Sequence, residues 1–223
     1  MSDTQGSMQP GTLLAVVCVA GIFIVALILA IRYGRKHESA MRELAQSQGW
    51  SFRRGDTAEY VAKLEELFPD QRFTLRYVMT VESGSRSVVL LDGMCRGRWD
   101  QNGGLTAAVC LIESSRLRSV GPRVEIIRRT WTDEKLLSGQ VEMGDTEFAR
   151  KFIVLSADPA SAKRTVSERL QPVLLAHMQR PLYNPVQIAL GTGKAALLTW
   201  SVVEPERWRD LVHLAREIEA AVR

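Results

Sequence analysis

The hydrophobic pattern of this chain changes period several times, and each change marks a different kind of element. Leu13–Ile31 is apolar at every position, nineteen residues with no charge, no proline and one glycine. As a helix rising 1.5 Å per residue it is roughly 28 Å long, which matches the roughly 30 Å hydrocarbon layer of a bilayer. A membrane-spanning helix is expected there. His37 to Gln48 then shows helical spacing through Met41, Leu44 and Ala45, and Gly49 ends it. Asp56 is placed to cap a helix from Thr57 to Phe68, with Glu59 three residues on and Pro69 as the stop.

Beyond Pro69 the period becomes two. Phe73, Leu75, Tyr77, Met79 and Val81 alternate with Arg72, Thr74, Arg76, Val78 and Thr80, the pattern of a strand with one buried face. Ser83-Gly84-Ser85 turns this strand back into Ser87 to Asp92, and Gly93 to Gly104 reads as a loop. Further strands are expected at Leu105–Glu113, Val124–Arg129, Gln140–Met143 and Phe148–Ser156. Asp158-Pro159 opens a helix running through Ala162, Val166 and Leu170, which Pro172 breaks or kinks before a second piece ending at Met178. Two short strands, Val186–Leu190 and Ala195–Trp200, flank Gly191-Thr192-Gly193. From Glu206 to Val222, Trp208, Leu211, Val212, Ala215, Ile218 and Val222 share one helical stripe, opposite Arg209, His213, Arg216 and Glu217. Strands following strands, with helices in separate blocks, predict an α+β domain with a mostly antiparallel sheet.

Charge adds an orientation. The segment before the apolar run carries Asp3 and no Lys or Arg, whereas Arg32, Arg35, Lys36 and Arg42 follow it. Basic residues stay inside, so the N-terminus is expected outside and residues 32–223 in the cytoplasm, the protein being single-pass in the inner membrane. A cleaved signal would need a positive start, a shorter apolar run and a small-residue cleavage site, none of which is present. Cys18 lies mid-run, away from any lipid-processing position. The expected organisation is a tail at 1–12, a membrane helix at 13–31, a basic stalk at 32–49 and one soluble domain at 50–223. The net charge of +4 falls to +2 once residues 1–36 are set aside, because Arg32, Arg35 and Lys36 outnumber Asp3 by two. Such a balance does not favour nucleic acid as a partner. Cys95 and Cys110 make no disulfide framework and fit a reducing compartment.

Leu44-Ala45, Gly49-Trp50-Ser51-Phe52, the run Glu147-Phe148-Ala149-Arg150-Lys151-Phe152-Ile153-Val154 before Asp158-Pro159, the short hairpin and the amphipathic last helix together resemble a group of uncharacterised bacterial membrane proteins. The resemblance covers most of the soluble part. It implies a bacterial, single-span protein of the same kind and no catalytic residue; Glu147 to Val154 itself reads as a strand.

Candidate chemistry is sparse. Gly191-Thr192-Gly193-Lys194 departs from a phosphate loop at Ile188 and Ala195, and reads as a hairpin turn. Arg96, Arg98 and Trp99 could hold an anion or stack on a base, but read as a solvated loop. His37, His177 and His213 lack metal-ligand spacing, with His177 expected in or capping the core and His213 on a polar face. Cys110 lies in an apolar strand, and Cys95 is expected in the loop beside Arg96. Glu142, Asp145 and Glu147 read as a solvated hairpin end. No catalytic residue, cofactor or metal is assigned. The one assigned contact is with the membrane surface, through Arg32, Arg35, Lys36 and Arg42, with Arg53 and Arg54 following, where each basic residue can contribute about 1 kcal/mol toward anionic headgroups. The leading function is a membrane-tethered interaction or assembly module with an unidentified protein partner. A small-molecule or lipid sensor is the alternative, marked by Arg and Trp converging on a pocket, and an enzyme is the third class.

Overall fold

The computed structural model describes residues 10–55, 57–83, 86–97, 105–129, 137–166, 168–178, 187–200 and 205–222. The chain divides into two compact units, Met1–Glu43 and Leu44–Arg223. Helix α1 runs without interruption over Pro10–Gln48, so the apolar run and the stalk are one helix. It is the one helix among the described residues long and apolar enough to cross a membrane, and its apolar window is entirely exposed.

The second unit is built on a nine-stranded sheet. In chain order the elements are β1 Ser51–Arg54, α2 Ala58–Leu67, β2 Gln71–Ser83, β3 Arg86–Gly97, β4 Leu105–Ser114, a 3-10 turn Ser115–Ser119, β5 Val124–Arg128, β6 Gln140–Val141, α3 Glu147–Lys151, β7 Phe152–Ser156, α4 Pro159–Thr165, α5 Leu170–Met178, β8 Gln187–Gly191, β9 Lys194–Trp200 and α6 Pro205–Ala221. The strand order is β1-β2-β3-β4-β9-β8-β5-β7-β6. Every neighbouring pair is antiparallel, so the expected α+β class with an antiparallel sheet is what the chain forms.

Period-two alternation divides the side chains between two faces. On one face Phe73, Val78, Val89, Leu91, Cys95, Val109, Leu111, Ala196 and Leu198 pack around Tyr60, Leu64 and Leu67 of α2. On the other, α6 packs against β4 and β9, with Trp208, Leu211, Ala215 and Ile218 buried as the stripe predicts. The sheet also curls around α2. Strands β2 and β8 stand four spacings apart, roughly 19 Å in a flat sheet, yet Gln71 Nε2 donates to Gln187 Oε1 at 2.6 Å.

Several elements differ from the sequence-based expectation. The segment Gly93–Gly97 is not loop but the end of β3, which pairs with β2 down to Gln71–Gly97. Gly93 serves close approach rather than a turn, since a Cβ there would lie 2.3 Å from the Thr74 carbonyl, beside the register shift between Leu75 and Tyr77. The expected strand at Phe148–Ser156 is helix α3 followed by strand β7. Thr146 caps that helix by accepting from the Ala149 amide at 3.1 Å, and the Phe148 and Phe152 rings stack at 4.8 Å. Pro172 is not where the helical segment breaks. The break follows Thr165, Gln171 Nε2 bonds the Val166 carbonyl at 3.1 Å, and Pro172 sits in the first turn of α5, where an absent N–H leaves no intrahelical bond unmade. Asp158 caps α4 as expected, through the Ser161 amide at 3.0 Å.

Helix α2 starts one residue later than expected. Its cap position is Thr57, whose side chain makes no cap bond, and Glu59 pairs forward with Lys63. Strand β1 carries too few residues to show a period and has no counterpart in the sequence reading. Asp56, Gly84, Ser85, Arg98 to Gly104 and Val186 lie outside the described residues.

Candidate functional site

The four basic residues assigned to the membrane surface are all exposed on α1. At 100° per residue they fall within an arc of roughly 120°, one side of the helix. Arg42 pairs with Glu38 at 3.1 Å, so part of this cationic strip is internally balanced.

A cleft of about 390 Å³ follows where α1 stops. Gly49 takes φ +67°, donates to the Gln46 carbonyl at 3.2 Å, and Trp50 donates to the Ala45 carbonyl at 2.8 Å. These are the two bonds of a Schellman stop, with glycine in the left-handed position and an apolar residue after it. Gly49-Trp50 is therefore a helix terminator that also places an indole at the cleft, half-buried, while Ser51 and Phe52 continue into β1. Phe52 stacks on Tyr77 at 5.7 Å, anchoring that strand. Exposed Arg216 of α6 lines the same cleft. An aromatic face and a guanidinium on one cleft suit a ligand with an anionic group and an apolar or planar part.

A polar chain runs through the face covered by α2. Cys95 Sγ donates to Gln71 Oε1 at 3.1 Å, Gln71 to Gln187 at 2.6 Å, and Gln187 Nε2 to Glu125 Oε1 at 2.5 Å. Arg123 Nη1 closes it, 3.2 Å from Glu125 Oε2 and 3.0 Å from the Leu67 carbonyl. Cys95, Gln71, Gln187 and Glu125 are all buried. Its role is mechanical, tying β2, β3, β8 and β5 together where the sheet curls. Sequence reading missed it because the partners are far apart in the chain; the one available signal was that Gln71 shares the inward parity of Phe73.

The remaining candidates sit in structural roles. Cys95 is a buried strand residue rather than a loop thiol, and burial pushes the Cys110 thiol well above its ordinary range. Thr192-Gly193 is the two-residue turn joining β8 to β9, its Gly193 amide donating to Leu117 at 3.0 Å, and Lys194 pairs with Glu66. His177 is buried, whereas His213 is exposed and lies 3.4 Å from Glu217. Hydrogen bonding from Lys151 holds the Glu147 carboxyl below its usual range. For Lys63, burial lowers the ammonium, but its bonds to Glu59 and Glu113 outweigh this and hold it above its ordinary value. Among the described residues no three His, Cys, Asp or Glu side chains gather as a metal set.

No protein-family model and no curated protein matches the sequence. Among solved structures, the chain is similar to a crystal structure of the mycobacterial trehalose monomycolate transport factor A, TtfA. The TM-score is 0.59 at 13% identity, over 85% of this chain and 96% of that one. At that identity the likeness is one of fold: the helix-covered antiparallel sheet is an architecture this chain shares with a transport factor.

Proposed function

We propose that this chain is a membrane-tethered accessory module of a bacterial envelope transport assembly, working through protein contacts rather than by turning over a substrate. The observation that carries the reading is the pairing of a long helix whose apolar window is exposed with a compact domain whose fold is shared by a transport factor. The helix spans the inner membrane with its N-terminus outside. Arg32, Arg35, Lys36 and Arg42 hold it at the inner surface against anionic headgroups, and the domain stands in the cytoplasm. The chain belongs with the uncharacterised single-span bacterial proteins that its Gly-Trp-Ser-Phe motif resembles. A reporter fused after Arg223 is expected to be active only as a cytoplasmic fusion, with protease added to intact cells leaving the domain whole. In-membrane crosslinking from exposed domain positions is expected to capture a transport component. Cleavage of the domain from outside would overturn the topology, and crosslinks to lipid alone would overturn the assembly role.

The cleft lined by Trp50 and Arg216 favours a second reading, a sensor whose ligand carries an anionic group. In that case Arg216→Ala would abolish the response of the pathway while leaving the protein contacts intact.

A further inference from the structure

A second cleft, of about 420 Å³, lies between the loop after the 3-10 turn, the flank of α4 and the end of α6. That volume is in the range of small-ligand sites. Ser161 and Thr165 stand one helical turn apart on the flank of α4 that lines it, 5% and 9% exposed, and Arg164 is exposed beside them. The start of α4 is already capped, because Asp158 Oδ1 accepts from the Ser161 amide and the Asp158 carbonyl from that of Ala162, both at 3.0 Å. The site is thus on the side of the helix rather than at its end.

Opposite Ser161 the loop presents Gly121, where a Cβ would lie 2.6 Å from Ser161 Oγ. Bare backbone at that position is what leaves the hydroxyl its place. Among the described residues neither the Ser161 nor the Thr165 hydroxyl, nor the Arg164 guanidinium, has a hydrogen-bond or ion-pair partner. The hydroxyls of these two largely buried residues and the exposed guanidinium open on one cleft, where they can donate to an oxygen-rich acceptor. The lining segments also share a sign. Residues 115–123 carry Arg116, Arg118 and Arg123 and no acid, and residues 158–165 carry Lys163 and Arg164 against Asp158 alone. Arg123 is committed to Glu125, and of the charged side chains in these segments Arg164 and Asp158 line the cleft itself. Asp158 lines the same cleft and provides an acceptor at its edge.

We infer that this cleft binds a glycerol phosphate group, its phosphoryl oxygens on Arg164, Ser161 and Thr165 and its hydroxyls toward the Asp158 carboxylate. Both free glycerol phosphate and a phosphatidylglycerol headgroup carry this chemistry. The test uses the full chain in phosphatidylcholine nanodiscs, titrated with sn-glycerol 3-phosphate and followed by calorimetry and by the amide signals of Gly121 and Ser161. Saturable binding is expected, weakened about tenfold or more by Arg164→Ala and by Thr165→Val. Gly121→Ala, which intrudes on the Ser161 hydroxyl, is expected to weaken it as well. Thermal unfolding unchanged in Arg164→Ala separates loss of binding from loss of fold, since that side chain is exposed. Repeating the titration in phosphatidylglycerol nanodiscs distinguishes the sources: a headgroup that occupies the site blocks the added ligand, and a site for the free molecule still takes it. Undiminished binding by Arg164→Ala, inorganic phosphate binding as tightly as glycerol phosphate, or no saturable signal with either source would overturn the assignment.

Discussion

Helices α1 and α6 are both rich in apolar side chains, and they differ in what those side chains meet. Along the apolar run of α1, Ile22, Phe23 and Leu27 are 69%, 70% and 61% exposed, and apolar residues surround the helix on every side, whereas Met41, Leu44 and Ala45 near its end are buried. Along α6, Trp208, Leu211, Ala215 and Ile218 have no exposed surface, while Arg209, Asp210, His213 and Arg216 face outward. A stripe one face wide can be covered by a sheet. A helix apolar all round cannot, and its stable surroundings are hydrocarbon. Distribution around the axis, rather than apolar content, separates a core helix from an anchor.

Truncating one large side chain in each helix separates the two environments. Trp208→Ala is expected to lower the stability of the domain by about 3–5 kcal/mol, read as a shift of the denaturation midpoint of the full chain in detergent. Phe23→Ala should leave that midpoint where it is. Equal shifts would mean that the apolar run of α1 is a core element or that α6 is not. Trp208→Phe should cost less than the alanine change, because the indole N–H has no hydrogen-bond partner among the described residues.

Polar contacts sharpen the same contrast at smaller scale. Glu219 of α6 is 1% exposed and holds Arg86 at 2.7 Å together with the Ser114 hydroxyl. Glu219→Ala should cost about 1–3 kcal/mol, since it strands a buried hydroxyl and a half-buried guanidinium. Gln187→Leu, which interrupts the buried chain to Glu125, is expected to fall in the same range of about 1–3 kcal/mol and to be measurable by urea denaturation. Thiol chemistry gives a qualitative test. A polar maleimide at pH 8 should label neither Cys95 nor Cys110 until denaturant is added, and raising the pH to 9 should not change this for Cys110, whose buried thiol stays protonated. Labelling of the native domain would show that the sheet opens. The smallest effect is expected on α1 itself, where Glu38→Ala cuts the pair of a half-buried carboxylate to the exposed Arg42 guanidinium and should change stability by no more than about 1 kcal/mol.

Legibility varied with the distance over which each element is determined. The stripe of α6, the alternation in β2 and the cap at Asp158 were readable because each depends on residues within a few positions. The end of β3 was not, because Gly93 looks like a loop glycine until Thr74 of the neighbouring strand is in place. Helix α3 was also missed: Phe148, Phe152 and Val154 satisfy a strand period, and a single hydroxyl, Thr146, decides for a helical turn. Of the candidate sites, Gly49-Trp50 stood out as a motif, but its meaning required Arg216, which lies far along the chain on α6. Ser161, Arg164 and Thr165 drew no notice, since nothing in one short polar helix tells which hydroxyls will lack partners.

Local spacing and solvent preference account for the apolar helix, the one-sided placement of its basic residues, the strand and helix periods and the α+β class. How the sheet curls until Gln71 meets Gln187, which glycines are approached by backbone, and which polar side chains share a cleft arise from the packing of distant segments. Those outcomes depend on contacts between residues 19 to 116 positions apart, where packing leaves little choice and sequence spacing carries no record of it.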